Sequence, residues 1–236
     1  MNIKPSISAA TAVLFASLLF FGVLSVQGLE PEDVIFFYLS QQWASSKCGG
    51  ERGCCYPKTG KPASGFVIHS LRPENFVNQV LKNCDSKDQL NPSSISGMTS
   101  ELQEHWPYLD CPSRSSMSLW KSEWRTYGTC GKSVLNQTQY FKAALNLKKK
   151  VNFLDVLIKS GIKPDGQFYK LNDASEAIRK AIGYEPRIFC IKDKSGNSLL
   201  NLITGCTLDG TQYNHCIGTL GYESNCGPSF KFPPLK

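Results

Sequence analysis

Residues 65–75 read GFVIHSLRPEN and residues 119–130 read LWKSEWRTYGTC, and the rest of the chain is organised around these two stretches. The second begins on Leu119 and Trp120, runs through Ser122, Glu123, Trp124, Arg125, Thr126 and Tyr127, and closes on Gly128, Thr129 and Cys130. That is the pattern of a helix stopped by glycine. Successive helical side chains are about 100° apart, so positions 122, 123, 126 and 127 share an arc of roughly 140° and form one facet. In the first stretch, residues 66–71 alternate apolar and other side chains, which places His69 on a short strand ahead of Pro73.

Outward from these, residues 31–43 carry Val34, Ile35, Phe36, Phe37, Tyr38 and Leu39, a β-branched and aromatic run of strand length ending in Gln41-Gln42-Trp43. Residues 47–64 are dense in Gly, Pro, Lys and Cys and read as a disulfide-pinned loop. Residues 75–96 are polar, fit for loops and a short helix, and 99–106 predict a helix halted at Pro107. His105 lies at its end with no catalytic partner in the sequence pattern and is read as structural. From Asn136, Tyr140, Ala143, Ala144 and Leu147 recur at helical spacing up to Lys148-Lys149-Lys150, where cations suit the helix dipole. Phe153, Val156, Leu157 and Ile158 predict a second helix stopping at Gly161, and Asn172 or Asp173 would cap a third that ends at Gly183. Residues 187–192 and 198–204 flank Lys194-Ser195-Gly196-Asn197 as a β-hairpin, with further strand candidates at 213–218 and 230–232. Helices in the middle and antiparallel strands towards both ends predict one α+β domain, a sheet with helices packed on it.

Residues 1–28 stand apart. Lys4 gives a weak positive start, 7–26 are apolar and uncharged, and small residues close the stretch near Gly28, the pattern of a cleaved secretory signal rather than a retained anchor. The domain then spans 29–236, about 208 residues, enough for a substantial core. Without Lys4, 25 of the 26 basic side chains remain against 19 acidic ones, a surplus compatible with a polyanion partner but too small to identify one. All ten cysteines fall behind the signal, an even number suited to disulfides in an oxidising compartment. With no Cys-x-x-Cys pair and only His69, His105 and His215, a zinc site has little to be built from, and the reading calls for no metal and no cofactor. Asn136-Gln137-Thr138 is a glycosylation sequon, whereas Pro92 disqualifies Asn91.

His69 within FVIHSLRP, together with the Trp-x-x-Glu-Trp-x-x-x-Gly-Thr-Cys frame of 120–130, resembles the two active-site segments of the ribonuclease T2 family, which includes plant S-like ribonucleases and self-incompatibility S-ribonucleases. Active members read FTIHGLWP and approximately WxHEWxKHGTC in these places. The resemblance makes His69 the match of the first catalytic histidine and Glu123 of the motif glutamate. Ser122 stands in place of a phosphate-binding histidine, Thr126 of a lysine and Tyr127 of the second catalytic histidine, while Ser70 and Arg72 replace glycine and tryptophan. Gln42 matches a base-binding glutamine, although an amide at a strand end bonded to nearby backbone explains it as well. The resemblance also implies the disulfides Cys48–Cys54, Cys55–Cys111, Cys84–Cys130, Cys190–Cys226 and Cys206–Cys216.

Cleaving RNA through its own 2′-hydroxyl requires a base, an acid and positive charge on the phosphorane. Histidine suits both proton roles, whereas a phenol of pKa about 10 seldom accepts a proton, and Ser122 and Thr126 bring no charge. Arg72 and Arg125 are candidate phosphate-binding cations but neither is a base near neutral pH, and Arg125 sits at the facet's margin. The expectation is a secreted, extracellular or vacuolar monomer of this family with little or no nuclease activity, able to bind single-stranded RNA and suited to storage, stress or defence. The alternative is an active endoribonuclease that slowly cleaves single-stranded RNA through a 2′,3′-cyclic phosphate with His69 helped by Glu123 and an arginine. A recognition role like that of self-incompatibility S-ribonucleases is a third possibility, disfavoured because those members keep both catalytic histidines.

Overall fold

The computed structural model describes residues 36–50, 53–55, 57, 65–75, 79–215 and 224–234; the stretch read as a signal lies outside them. A six-stranded sheet runs in the order β2 (Phe66–Glu74), β1 (Phe36–Trp43), β5 (Ser198–Thr207), β6 (Ser229–Lys231) and β3 (Phe168–Lys170), with β4 (Arg187–Lys192) paired to β5. β1 lies between β2 and β5 and is buried at every residue. Its alternation sends Phe37, Leu39 and Trp43 into the main core with Trp106, Trp120, Trp124, Tyr140 and Phe141, while Phe36 and Tyr38 turn to the other face beside Cys206. The pairing is antiparallel except for one parallel bridge, Leu199 to Lys231.

Helices cover the main core: α1 (Ala44–Gly49), α2 (Thr99–His105), α3 (Ser116–Thr126), α4 (Gln137–Lys150), α5 (Phe153–Lys159) and α6 (Leu171–Ile182). The α+β class expected from the sequence is the one the chain adopts. α4 starts with a complete capping box, the Asn136 side chain accepting from the Gln139 backbone while the Gln139 side chain reaches back to the Asn136 N–H. α6 departs from expectation: Lys170 at the end of β3 is its N-cap, without a side-chain bond, so Asn172 and Asp173 lie inside the first turn.

Four other local readings are corrected. The region 47–64 was expected to be loop throughout, yet α1 extends to Gly49, held by the Ser46 hydroxyl donating to the Leu200 carbonyl. β2 continues beyond residue 71 and through Pro73, which is tolerated because β2 is the edge strand of the sheet; on its outer side only an isolated bridge, Glu74 to Val80, is present among the described residues. Residues 213–215 are not strand; the Tyr213 ring is buried, with its hydroxyl donating to the Leu147 carbonyl at 3.3 Å and accepting from Gln41 Nε2 at 3.2 Å. Gly128 does not stop α3 in a left-handed turn. Tyr127 is the C-cap, the chain passes directly into a 3-10 turn at Gly128–Gly131, and a Cβ at Gly128 would lie 2.2 Å from the Trp124 ring. Close packing, not a positive φ, requires that glycine.

Disulfides join Cys48 to Cys54, Cys55 to Cys111, Cys84 to Cys130 and Cys190 to Cys226. The expected fifth pair, Cys206–Cys216, involves Cys216, which lies outside the described residues.

Candidate active site

The register of β2 against β1 explains why His69 faces outward. Ser40 pairs with Ser70 and Gln41 with Ile68, so His69 is the extra residue of a β-bulge. It is the only exposed position in an otherwise buried or half-buried strand. Its Nδ1 lies 3.2 Å from the Ser70 hydroxyl. Desolvation by the surrounding protein, followed by the positive charges of Arg72 and Lys47, pushes its pKa down to about 4 against the opposing pull of Asp110. The imidazole is therefore neutral through most of the acidic range.

α3 presents the facet opposite. The helix is fixed by Trp120, whose Nε1 donates to the Trp106 carbonyl at 2.9 Å, and by Trp124, whose Nε1 donates to Asp88 at 3.1 Å. Lys132 and Gln137 hold Asp88 in turn. Glu123 is buried, and burial raises its carboxyl to about 8, with Arg72 opposing; its Oε2 has no hydrogen-bond partner among the described residues. Tyr127 is half-buried and its phenol is pushed above its ordinary value by burial and then by Glu123. Ser122 and Thr126 are half-buried, and the Thr126 carbonyl accepts from the Asn83 N–H at 2.8 Å. Arg72, half-buried on β2, lies within electrostatic reach of His69, Glu123 and Tyr127, whereas Arg125 is exposed on the helix.

Two cavities meet at His69. One, about 160 Å³, lies between β2 and α3 and is lined by His69, Glu123, Leu119, Tyr108 and Asp110; the other, about 540 Å³, extends towards β4 and β5 past Lys192 and Asn201. Gln42, Lys47 and His69 line both. Gln42 is fixed by its Nε2 donating to Asn201 Oδ1 at 3.0 Å, so its partner is a side chain from β5 rather than nearby backbone. His69, Glu123 and Gln42 thus share one cleft with Tyr127 and Arg72 in electrostatic reach, while Arg125 lines neither cavity.

The remaining candidates lie elsewhere. His105 sits 3.9 Å from Glu104, and His215 packs near Tyr184. The basic triplet is occupied within the fold: Lys149 pairs with Glu101 at 2.7 Å, Lys150 donates to the Thr211 carbonyl, and burial lowers Lys148. Asn136 is exposed. A further cavity of about 550 Å³ lies between α6 and β4, beside the buried Arg187–Glu74 pair, and contains no histidine. Lys47, Tyr108, Asp110, Lys192 and Asn201 were not singled out by sequence reasoning, because long-range pairing and disulfides bring them to His69 and no local motif marks them.

Comparison with known proteins fits this geometry. The model of the Ribonuclease T2 family matches residues 34–216. The chain belongs to the ribonuclease T2 family. It is 43% identical over 203 residues to extracellular ribonuclease LE of Solanum lycopersicum, covering 86% of this chain and 88% of that protein. It is 38% identical over 204 residues to intracellular ribonuclease LX of the same organism, covering 86% and 85%. Among solved structures it is similar to RNase NT in complex with 5′-AMP, with a TM-score of 0.79 and 38% identity over 86% of this chain and 99% of that one. The ribonuclease T2 frame is therefore present in both sequence and fold, around a cleft that contains a single imidazole.

Proposed function

We propose that this chain is a secreted ribonuclease T2-family protein that binds single-stranded RNA in the His69 cleft and cleaves it weakly or not at all. The observation that carries the reading is that, of its three histidines, His69 alone lines the cleft. His69 supplies a neutral imidazole to accept the 2′-hydroxyl proton, but the facet opposite offers no matched partner to protonate the leaving oxygen. Tyr127 holds its proton more firmly than an ordinary phenol, far from the near-neutral pKa that efficient proton transfer requires. Ser122 and Thr126 contribute hydroxyl dipoles without charge. Each missing group is typically worth a factor of about 10² to 10⁴, with losses that do not simply multiply. Binding is less affected, because Arg72 and Lys47 keep the cleft positive around His69. The role outside catalysis then lies in storage, stress or defence. Secretion rests on the residues 1–28 pattern, since the two tomato relatives are named for opposite sides of the cell boundary.

One observation favours a second reading, residual cleavage. Burial pushes the Glu123 carboxyl up to about 8 and Glu123 lines the same cavity as His69, which sets a carboxyl suited to act as an acid beside the imidazole. Incubating the disulfide-intact protein with single-stranded RNA from pH 4 to pH 8, beside ribonuclease LE, separates the two. The proposal expects turnover at most about 10⁻² of that enzyme's; comparable turnover, abolished by His69→Ala, overturns it. A slow rate lost in both His69→Ala and Glu123→Gln favours the second reading.

A further inference from the structure

Lys47 and Asp110 form an ion pair at the boundary between the two cavities, directly beside His69. Their positions are fixed from the backbone. Cys48, next to Lys47, is bonded to Cys54; Cys55 follows and is bonded to Cys111, next to Asp110. The Cys55 N–H also donates to the Leu109 carbonyl at 3.0 Å. Two successive disulfides therefore hold the ammonium and the carboxylate across from each other whether or not they attract.

The pair itself is weak. The Lys47 side chain is 24% exposed and that of Asp110 60%, and solvent-accessible pairs of this kind contribute only about 0–1 kcal/mol. A second anion can replace the Asp110 carboxylate on Lys47 at little cost. The surroundings favour such an anion: Lys192 lines the larger cavity, the charge of Arg72 reaches His69, and burial shifts the Glu123 carboxyl towards its neutral form. Among the described residues lining the two cavities, Asp110 and Glu123 are the carboxyl groups, and Asp110 is the one paired with Lys47.

We propose that Lys47 is the phosphate-binding cation of this cleft for single-stranded RNA, and that Asp110 occupies the phosphate position when the cleft is empty, so that RNA binds by displacing it. The proposal rests on the RNA-binding reading above and adds the residue that makes the contact and the internal competitor that weakens it. Lys47 enters from the last turn of α1, outside the α3 facet where Ser122, Thr126 and Tyr127 stand, and so offers phosphate a cation that the facet lacks.

Binding of a fluorescent eight-nucleotide oligo(U) and of 5′-AMP at pH 6.5 and low salt tests this with the full-length mature protein, Asp110→Asn, Lys47→Gln, the double variant and the distant Lys149→Gln. Asp110→Asn is expected to tighten oligo(U) roughly two- to fivefold, the range such a pair contributes. Lys47→Gln is expected to weaken it about tenfold or more, as loss of a charge-assisted contact does, and Asp110→Asn is expected to add nothing in the Lys47→Gln background. Lys149→Gln controls for general charge. If the wild type binds oligo(U) but neither cleft variant changes affinity, or the Asp110→Asn gain persists without Lys47, this inference fails and RNA binding stands. If only 5′-AMP shows the expected pattern, the anion site stands and the RNA reading fails. If no variant binds either probe, both fail.

Discussion

Glu123 and His69 are displaced from their ordinary pKa values in opposite directions, and the two displacements tilt stability in opposite senses. His69 falls from 6.5 to about 4, so between those values the unfolded chain binds a proton that the folded chain does not, and stability rises with pH. Glu123 rises from 4.5 to about 8, so across that window the folded chain holds the extra proton, and stability falls as pH increases. At about 1.4 kcal/mol per pH unit of displacement, burial of Glu123 costs a few kcal/mol by pH 8. Glu123→Gln is therefore expected to melt higher than the wild type at pH 8 and to lose most of the alkaline decline, a comparison that thermal melts at pH 5 and pH 8 make directly; equal slopes would place Glu123 in water. Glu74 and Arg187 give a different prediction. Arg187 stacks 3.8 Å over the Tyr38 ring and bonds Glu74 at 3.3 Å inside the protein, so Arg187→Met should destabilise by about 3–5 kcal/mol in denaturant titration by leaving a buried carboxylate behind. At this scale His69 and Glu123 were legible because each stands in a contiguous motif. Lys47 and Asn201 were not, since what places them beside His69 is strand pairing and disulfides between distant segments.

α4 shows which elements a linear pattern reveals. Its apolar residues recur at helical spacing and its capping residues sit within four positions of one another, so both the helix and its start can be read locally. Asn136→Ala removes the side-chain half of the capping box and should cost about 1 kcal/mol of unfolding free energy, with Asn136→Asp close to neutral. β3, α1 and the β2 bulge were not legible in this way. β3 is three residues long and exists because β6 pairs with it, and the bulge at His69 is a register relation to β1 that β2 alone does not encode. α3 combines both kinds: its facet follows from periodicity, but the role of Gly128 depends on how close the Trp124 ring lies. Gly128→Ala should therefore destabilise by more than the small change a glycine-to-alanine substitution makes at an unstrained site, measurable by thermal melting.

For the whole molecule, the disulfides and the tryptophan core maintain the site's frame independently of its chemistry. Cys84–Cys130 closes a loop of sequence separation 46 and ties the 3-10 turn that follows α3 to the segment before the 3-10 turn at Pro92–Met98, and removing a cross-link over such a loop should cost roughly 4 kcal/mol on chain entropy. Trp120 and Trp124 anchor the same helix from the core side. This separation of frame from chemistry explains why the α+β fold and the family could be recognised from the sequence, while the loss of chemistry from the facet stands as the proposal. On the proposed reading, the frame should accept histidine at positions 122 and 127 and lysine at 126. The most direct test is the rate of single-stranded RNA cleavage by Ser122→His/Thr126→Lys/Tyr127→His relative to the unmodified chain, both with disulfides intact and at weakly acidic pH. The account predicts near-background cleavage by the unmodified chain and a gain of at least about 10²-fold in the triple variant; an unmodified chain already as active as ribonuclease LE, with no gain in the variant, would contradict it.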